Sequence, residues 1–152
     1  MPQGRFALDT VGAMTGRSMT PAQQEMFDAA LAAHGNAHAP YSHYPVGAAV
    51  RGESGRVYAG CNVENAAYPQ GWCAETSAIG AMITAGEQTI VEVLTISNGD
   101  MIGTCCGGCR QKLREFAAPD TPIYSCGPEG LRRTFTLDEL LPHSFGPENL
   151  VD

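Results

Sequence analysis

Residues 71–86 read GWCAETSAIGAMITAG, and how they are interpreted decides how the rest of the chain is organised. Cys73 stands where a helix begins. Glu75 follows in the first turn, and Ala78, Ile79 and Met82 continue at helical spacing towards Gly86. Thirty residues on, TCCGGCRQKLREF (104–116) repeats the pattern, with cysteines followed by an amphipathic run from Cys106 to about Ala117. Between the two helices lies TIVEVLTIS (89–97), a β-branched stretch suited to a central, buried strand.

Working outward, VGAAVR (46–51) and RVYAGCN (56–62) flank the turn signal GESG and predict a hairpin. Before them, residues 20–39 predict a helix. Thr20 caps it, Pro21 fits its first turn, Gln23 completes a capping box, and Met26, Phe27, Ala30 and Leu31 form its apolar face. Pro40 and Pro45 stiffen the loop that follows, and residues 63–71 form another loop. TPIYSC (121–126) and LRRTF (131–135) predict strands. TLDELLP (136–142) predicts a short helix capped by Thr136 and stopped by Pro142, and the tail after it is irregular. The order α-β-β-α-β-α-β-β-α implies one three-layer α/β/α domain with a mixed central sheet of about five strands. Residues 19–152 form that domain, and residues 1–18 are expected to be a flexible arm.

The chain has 152 residues, 43% of them hydrophobic and 16% charged, with a net charge of −7. That balance disfavours a polyanion partner, since phosphate binding needs clustered Lys and Arg. A small neutral substrate suits it better. No apolar run reaches the length of a membrane span, and the first residues lack the apolar core of a signal peptide. A cytoplasmic protein with neither membrane nor nucleic-acid partners is expected. In that compartment six cysteines point to metal or redox chemistry rather than to disulfides.

Cys106 and Cys109 form C-x-x-C, a common pair of soft ligands, but a redox disulfide shares the spacing. No second close pair exists to complete a four-cysteine structural site. Cys73, Cys106 and Cys109 are therefore the economical ligand set, with one position left open, as in a catalytic zinc site. Cys105 competes with Cys106 through C-x₃-C. Three thiolates overcompensate Zn²⁺, and helix N-termini at Cys73 and Cys106 are expected to offset this, with Arg110 adding a hydrogen-bonded positive charge. Glu75 lies within reach of the metal site without being a ligand, and can carry protons there. Taken singly, Cys73 reads as a buried thiol and Glu75 as a helix N-terminal charge; the combination shifts the balance. Cys61 and Cys126 lie in predicted strands and are expected in the core. His34, His38, His43 and His143 have no ligand spacing and are expected to be solvated.

The stretches CNVENAAYPQGWCAE (61–75) and CGGCRQ (106–111), with YSHYPVGAA (41–49) before and LLPHSFGPENL (140–150) after, resemble the small, homotetrameric cytidine deaminases. Zinc deaminases carry H-x-E or, in the three-cysteine variant, C-x-E, followed by P-C-x-x-C. The resemblance spans roughly residues 20–150. It implies Cys73, Cys106 and Cys109 as Zn²⁺ ligands and Glu75 as proton shuttle. It also implies Asn62 and Glu64 on the ribose hydroxyls, Tyr44 packed on the pyrimidine, and the backbone of Ala66 and Ala74 on the base edge. Phe145 is implied to reach a neighbouring subunit's site in a homotetramer.

The implied reaction is hydrolysis of cytidine or deoxycytidine to uridine or deoxyuridine with release of ammonia, a step of pyrimidine salvage. The rival readings are a deaminase of a cytosine nucleoside antibiotic, a polynucleotide cytosine deaminase, and a non-catalytic zinc module. Two positions depart from the family pattern. Cys105 replaces the usual proline and implies sensitivity to oxidation. Thr76 stands where three-cysteine members typically place an arginine that bonds the thiolates.

Overall fold

The computed structural model describes residues 18–150, so all but the last residue of the expected arm lies outside the described residues. Helix α1 (Pro21–His34) opens at Thr20, whose side chain accepts from Gln23 N, while the Gln23 side chain accepts from Thr20 N. Strands β1 (Val46–Gly52) and β2 (Val57–Cys61) form the hairpin, and α2 (Ala74–Thr84), β3 (Ile90–Ser97) and α3 (Gly107–Phe116) follow. Strands β4 (Pro122–Gly127) and β5 (Gly130–Thr136) form a second hairpin that leads into α4 (Leu137–Leu140). Thr136 and Glu139 form a capping box there as well. The tail departs from expectation in one place: residues Pro147–Leu150 wind into a 3₁₀ turn.

The five strands lie in the order β2-β1-β3-β4-β5, with β3 at the centre. Only the β3–β4 pair is parallel, so the sheet is mixed. Side chains alternate between its faces, and the buried residues divide accordingly. On one face, Met26, Phe27 and Ala30 of α1 pack against Ala49, Leu94, Ile96, Tyr124 and Cys126. On the other, Ala78, Ile79 and Met82 of α2 and Leu113 of α3 pack against Val50, Val93 and Ile123, with Leu137 of α4 alongside. These are the three layers expected.

Some expectations about single residues fail. Leu31 is exposed, because the contact face of α1 is narrower than its apolar pattern. His34 is not fully solvated: its Nε2 is buried without a partner, where α1 closes on β1 at Gly47. Cys126 is in the core, but Cys61 is only partly buried on the edge strand β2. Arg51 ties α1 to the sheet, with Nε 2.6 Å from Glu92 Oε2, Nη1 2.9 Å from Glu25 Oε2 and Nη2 2.7 Å from the Ala22 carbonyl. Among the described residues no helix is long and apolar enough to cross a membrane.

Candidate active site

Cys73 is the N-cap of α2 and Cys106 the N-cap of α3. Both have the extended backbone usual for an N-cap, and neither side chain bonds back to its own helix. The two helices lie side by side on one face of the sheet, and Cys109 sits in the first turn of α3, fully buried. The result is a cluster in which the Sγ atoms of Cys73, Cys106 and Cys109 all lie within 4.8 Å of one another, with Cys73 and Cys106 3.7 Å apart. Tetrahedral zinc with sulfur at about 2.3 Å requires sulfurs about 3.8 Å apart, so the cluster fits such an ion. Among the described residues no fourth His, Cys, Asp or Glu joins it.

Hydrogen bonds, chiefly from Cys109 and then from Cys106, bring Cys73 down to about 6. Cys109, the donor to Cys73 and itself buried, is raised. The hydrogen bonds from its neighbours thus favour the thiolate at Cys73, the form in which a cysteine holds a metal. The expected help from the helix ends takes a weaker form: neither Cys73 nor Cys106 accepts a capping hydrogen bond through its side chain, leaving the dipole alone.

Arg110 does not serve the thiolates either. Its guanidinium donates to the Cys105 carbonyl, the Leu140 carbonyl and Thr104 Oγ1, each at 2.8 Å. Its work is to pin the loop before α3 to the end of α4. Thr76 Oγ1 is buried and unpartnered beside the site. Cys105 is 2% exposed and belongs to the core cluster, and burial pushes its thiol up to about 12. A thiol so placed is inert, which removes the reason to expect oxidation there.

Glu75 is 4% exposed in the first turn of α2, and burial raises its carboxyl above the usual range. It lines a cleft of about 670 Å³ together with Cys73, Ala74, Cys106, Tyr44, Asn62 and Glu64. Asn62 holds the cleft wall: its Oδ1 accepts from Val46 N at 2.8 Å and its Nδ2 donates to the Tyr44 carbonyl at 3.0 Å. Glu64 gathers the proline-stiffened loop by accepting from Tyr41 N at 2.8 Å, Ser42 N at 3.3 Å and the Ser42 hydroxyl. That hydroxyl bond is the main reason its carboxyl is held below the usual range. Ala66 is exposed and does not line the cleft, and Phe145 is 58% exposed and lies outside it.

The model of the cytidine and deoxycytidylate deaminase zinc-binding region matches residues 20–125. The chain belongs to that family. The cytidine deaminase of Sporosarcina psychrophila is 36% identical over 114 residues, which cover 75% of this chain and 84% of the relative. That of Mycobacterium tuberculosis strain H37Rv is 36% identical over 121 residues, covering 80% and 87%. The crystal structure of cytidine deaminase from Burkholderia pseudomallei matches with a TM-score of 0.77 at 34% identity, over 84% of this chain and 100% of that one. The structure from Mycobacterium leprae matches with a TM-score of 0.68 at 40% identity, over 79% and 97%.

Membership in this zinc-binding deaminase family makes zinc the cofactor, and the three-sulfur cluster fits it. The cleft of this family member also has walls that motif reading missed. Tyr41, Tyr68 and Trp72 stand at its sides, and Thr95, Ser97 and Thr104 line it from β3 and the loop before α3. These residues fall in strand and loop segments whose sequence suggests only burial or turning.

Proposed function

We propose that the chain hydrolyses cytidine and deoxycytidine to the uracil nucleosides and ammonia. The observation that carries this reading is a desolvated carboxyl, Glu75, in the first turn of the helix that Cys73 opens, lining one cleft of nucleoside size with Cys73 and Cys106 of the three-thiol cluster. Cys73, Cys106 and Cys109 are the residues that would hold the zinc ion. When bound, zinc supplies a Lewis acid that makes hydroxide available near neutral pH.

The chain's own groups do the rest. Glu75 takes one proton from the attacking water and gives it to N3 as oxygen bonds to C4; it then takes the proton left on that oxygen and gives it to the amino group, so that the C4–N bond breaks, ammonia leaves and C4=O remains. Burial helps it by bringing the carboxyl closer to the pH at which a proton can be both accepted and given. Asn62 and Glu64 receive the sugar: each has hydrogen-bonding capacity beyond its bonds to the backbone. Tyr44 covers the ring, and the backbone at Ala74 meets the base edge. The backbone at Ala66, in the loop that follows Glu64, is assigned to the same edge. Thr76 backs the start of α2, and Arg110 steadies the loop that leads into Cys106 through its bonds to Thr104, Cys105 and Leu140.

Phe145 serves a neighbouring subunit in a homotetramer; its exposure and its place outside its own chain's cleft support this. Residues 19–152 are the catalytic domain. The reaction belongs to pyrimidine salvage in the cytoplasm. Mixing the zinc-loaded protein with cytidine and following the ultraviolet shift towards uridine, with and without chelator, tests the reading. Loss of the shift on chelation is expected, and its absence in the zinc-loaded protein refutes the assignment. Sedimentation tests the assembly, and an active monomer would rule out shared sites.

A further inference from the structure

Two buried hydroxyls in the cleft have no partner. Thr95 is 4% exposed and Ser97 6%, both line the cleft, and neither hydroxyl oxygen has a hydrogen bond. They lie two residues apart on β3 and so share one face of the sheet. It is the face on which Val93 packs beneath α2 and α3. Along that row β3 carries an apolar side chain where the helices cover it and hydroxyls where the cleft begins.

The register of the sheet gives each hydroxyl its neighbours. Ser97 pairs with Val46, whose N–H donates to Asn62, so Ser97 lies on the Asn62 side. Thr95 pairs with Ala48, which in turn pairs with Gly60, the glycine that lies against the start of α2. Thr95 therefore lies in the row that meets the first turns of α2, which carry Glu75.

Two neighbouring hydroxyls are satisfied within the fold, and Thr76 Oγ1, buried and unbonded on α2, does not line the cleft as Thr95 and Ser97 do. Ser125 Oγ donates to the Gly103 carbonyl at 2.5 Å, and Thr104 Oγ1 accepts from Arg110 Nη2. A buried hydroxyl without a bond destabilises a fold relative to an apolar group of the same shape. Valine and alanine would fill these two strand positions without that cost.

We propose that Thr95 and Ser97 are specificity-determining contacts, whose hydroxyls bond polar atoms of the pyrimidine nucleoside between its reacting carbon and its sugar. The proposal rests on the deaminase reading and adds to it a recognition surface on the central strand. The hydroxyls complete their bonding when substrate enters, and the bond strength appears as affinity rather than as stability.

Thr95→Val and Ser97→Ala test this, with uridine binding measured by calorimetry and cytidine turnover measured alongside. Each change is expected to weaken binding and kcat/KM by about five- to thirtyfold. Zinc content should hold, and Tm should stay or rise because an unpaired hydroxyl has gone. Thr95→Ser, which restores the hydroxyl, should recover binding. Binding and kcat/KM within twofold of the parent in an active protein would overturn the proposal and leave the deaminase reading intact. So would a fall in Tm that accounts for the loss, or failure of Thr95→Ser to recover. A parent protein that neither binds uridine nor converts cytidine would overturn both.

Discussion

Cys73 Sγ and Cys106 Sγ lie 3.7 Å apart, although 33 residues separate them and each opens a different helix. The meeting depends on α2 and α3 flanking one another on the same face of the sheet, so the metal site and the layer packing are one construction. Cys106 is the exposed member of the trio, and its removal disturbs the core least. Cys106→Ala should therefore lose zinc and deamination while the far-ultraviolet spectrum keeps its shape. Since an ion that binds only the folded chain stabilises it by about 2.7 kcal/mol at a hundredfold excess over Kd, chelation should also lower the Tm of the parent and leave that of the variant unmoved. Elemental analysis and a melting curve check both.

Glu75→Gln keeps the shape of the side chain and removes its proton exchange. Turnover should fall by about 10²- to 10⁴-fold. Zinc should stay, because the three sulfurs are untouched. Stability should stay or rise, because a desolvated carboxyl is replaced by a neutral amide. A variant that retains most of its turnover would remove Glu75 from the mechanism.

The local elements of this fold were legible because each announces itself in a few residues. Thr20 with Gln23 and Thr136 with Glu139 are capping boxes in sequence and in structure. The β-branched run at 90–97 became the central strand. Cys73, Cys106 and Cys109 could be grouped because ligand spacing and an unshared C-x-x-C leave few alternatives. What escaped depends on contacts between distant segments. Arg110 lies beside Cys109 in the chain, yet its donors turn to Thr104, Cys105 and Leu140. Leu31 fits the apolar pattern of α1 but faces outward, and the unbonded hydroxyls of Thr95 and Ser97 resemble any polar interruption in a strand.

Glu87, just after α2, joins that helix to the β1–β2 hairpin. It accepts from the Ser54 hydroxyl, from Ser54 N at 3.3 Å and from Tyr58 Oη at 2.6 Å. The Ser54 bond, then that from Tyr58, holds its carboxyl below the usual 4.5. A carboxyl depressed in the folded state stabilises above its unfolded pKa, and the contribution is lost as pH falls through the folded value. Tyr58 is raised above 10, chiefly by the same bond, so its contribution is present below 10 and lost as pH rises through the folded value. Glu87→Gln should lower Tm at pH 7, and the gap to the parent should shrink below about pH 4. Melting curves from pH 3 to 8 read it directly, and a gap that does not change with pH would show that the bonds do not depend on the charge.

Gly47 and Gly60 separate the stability of the fold from the integrity of the site. Both allow a helix to sit directly on the sheet, but on opposite faces. A Cβ at Gly47 would overlap the Ala30 carbonyl and lie 2.8 Å from His34 Cβ, so it presses on α1. A Cβ at Gly60 would lie 2.5 Å from Ala78 N and Ser77 Cβ and 2.8 Å from the Ala74 carbonyl, so it presses on the first turns of α2. Those turns carry Cys73 and Glu75. Backbone cannot yield as a flexible side chain does, and each alanine should destabilise the chain by about 1–3 kcal/mol. Only Gly60→Ala moves a thiol and the carboxyl, so it should also weaken zinc retention and lower kcat well beyond the effect of Gly47→Ala. Measuring zinc affinity and kcat for both variants below their melting range isolates the difference. Equal losses in the two would mean that the position of α2 on β2 does not set the geometry of the site.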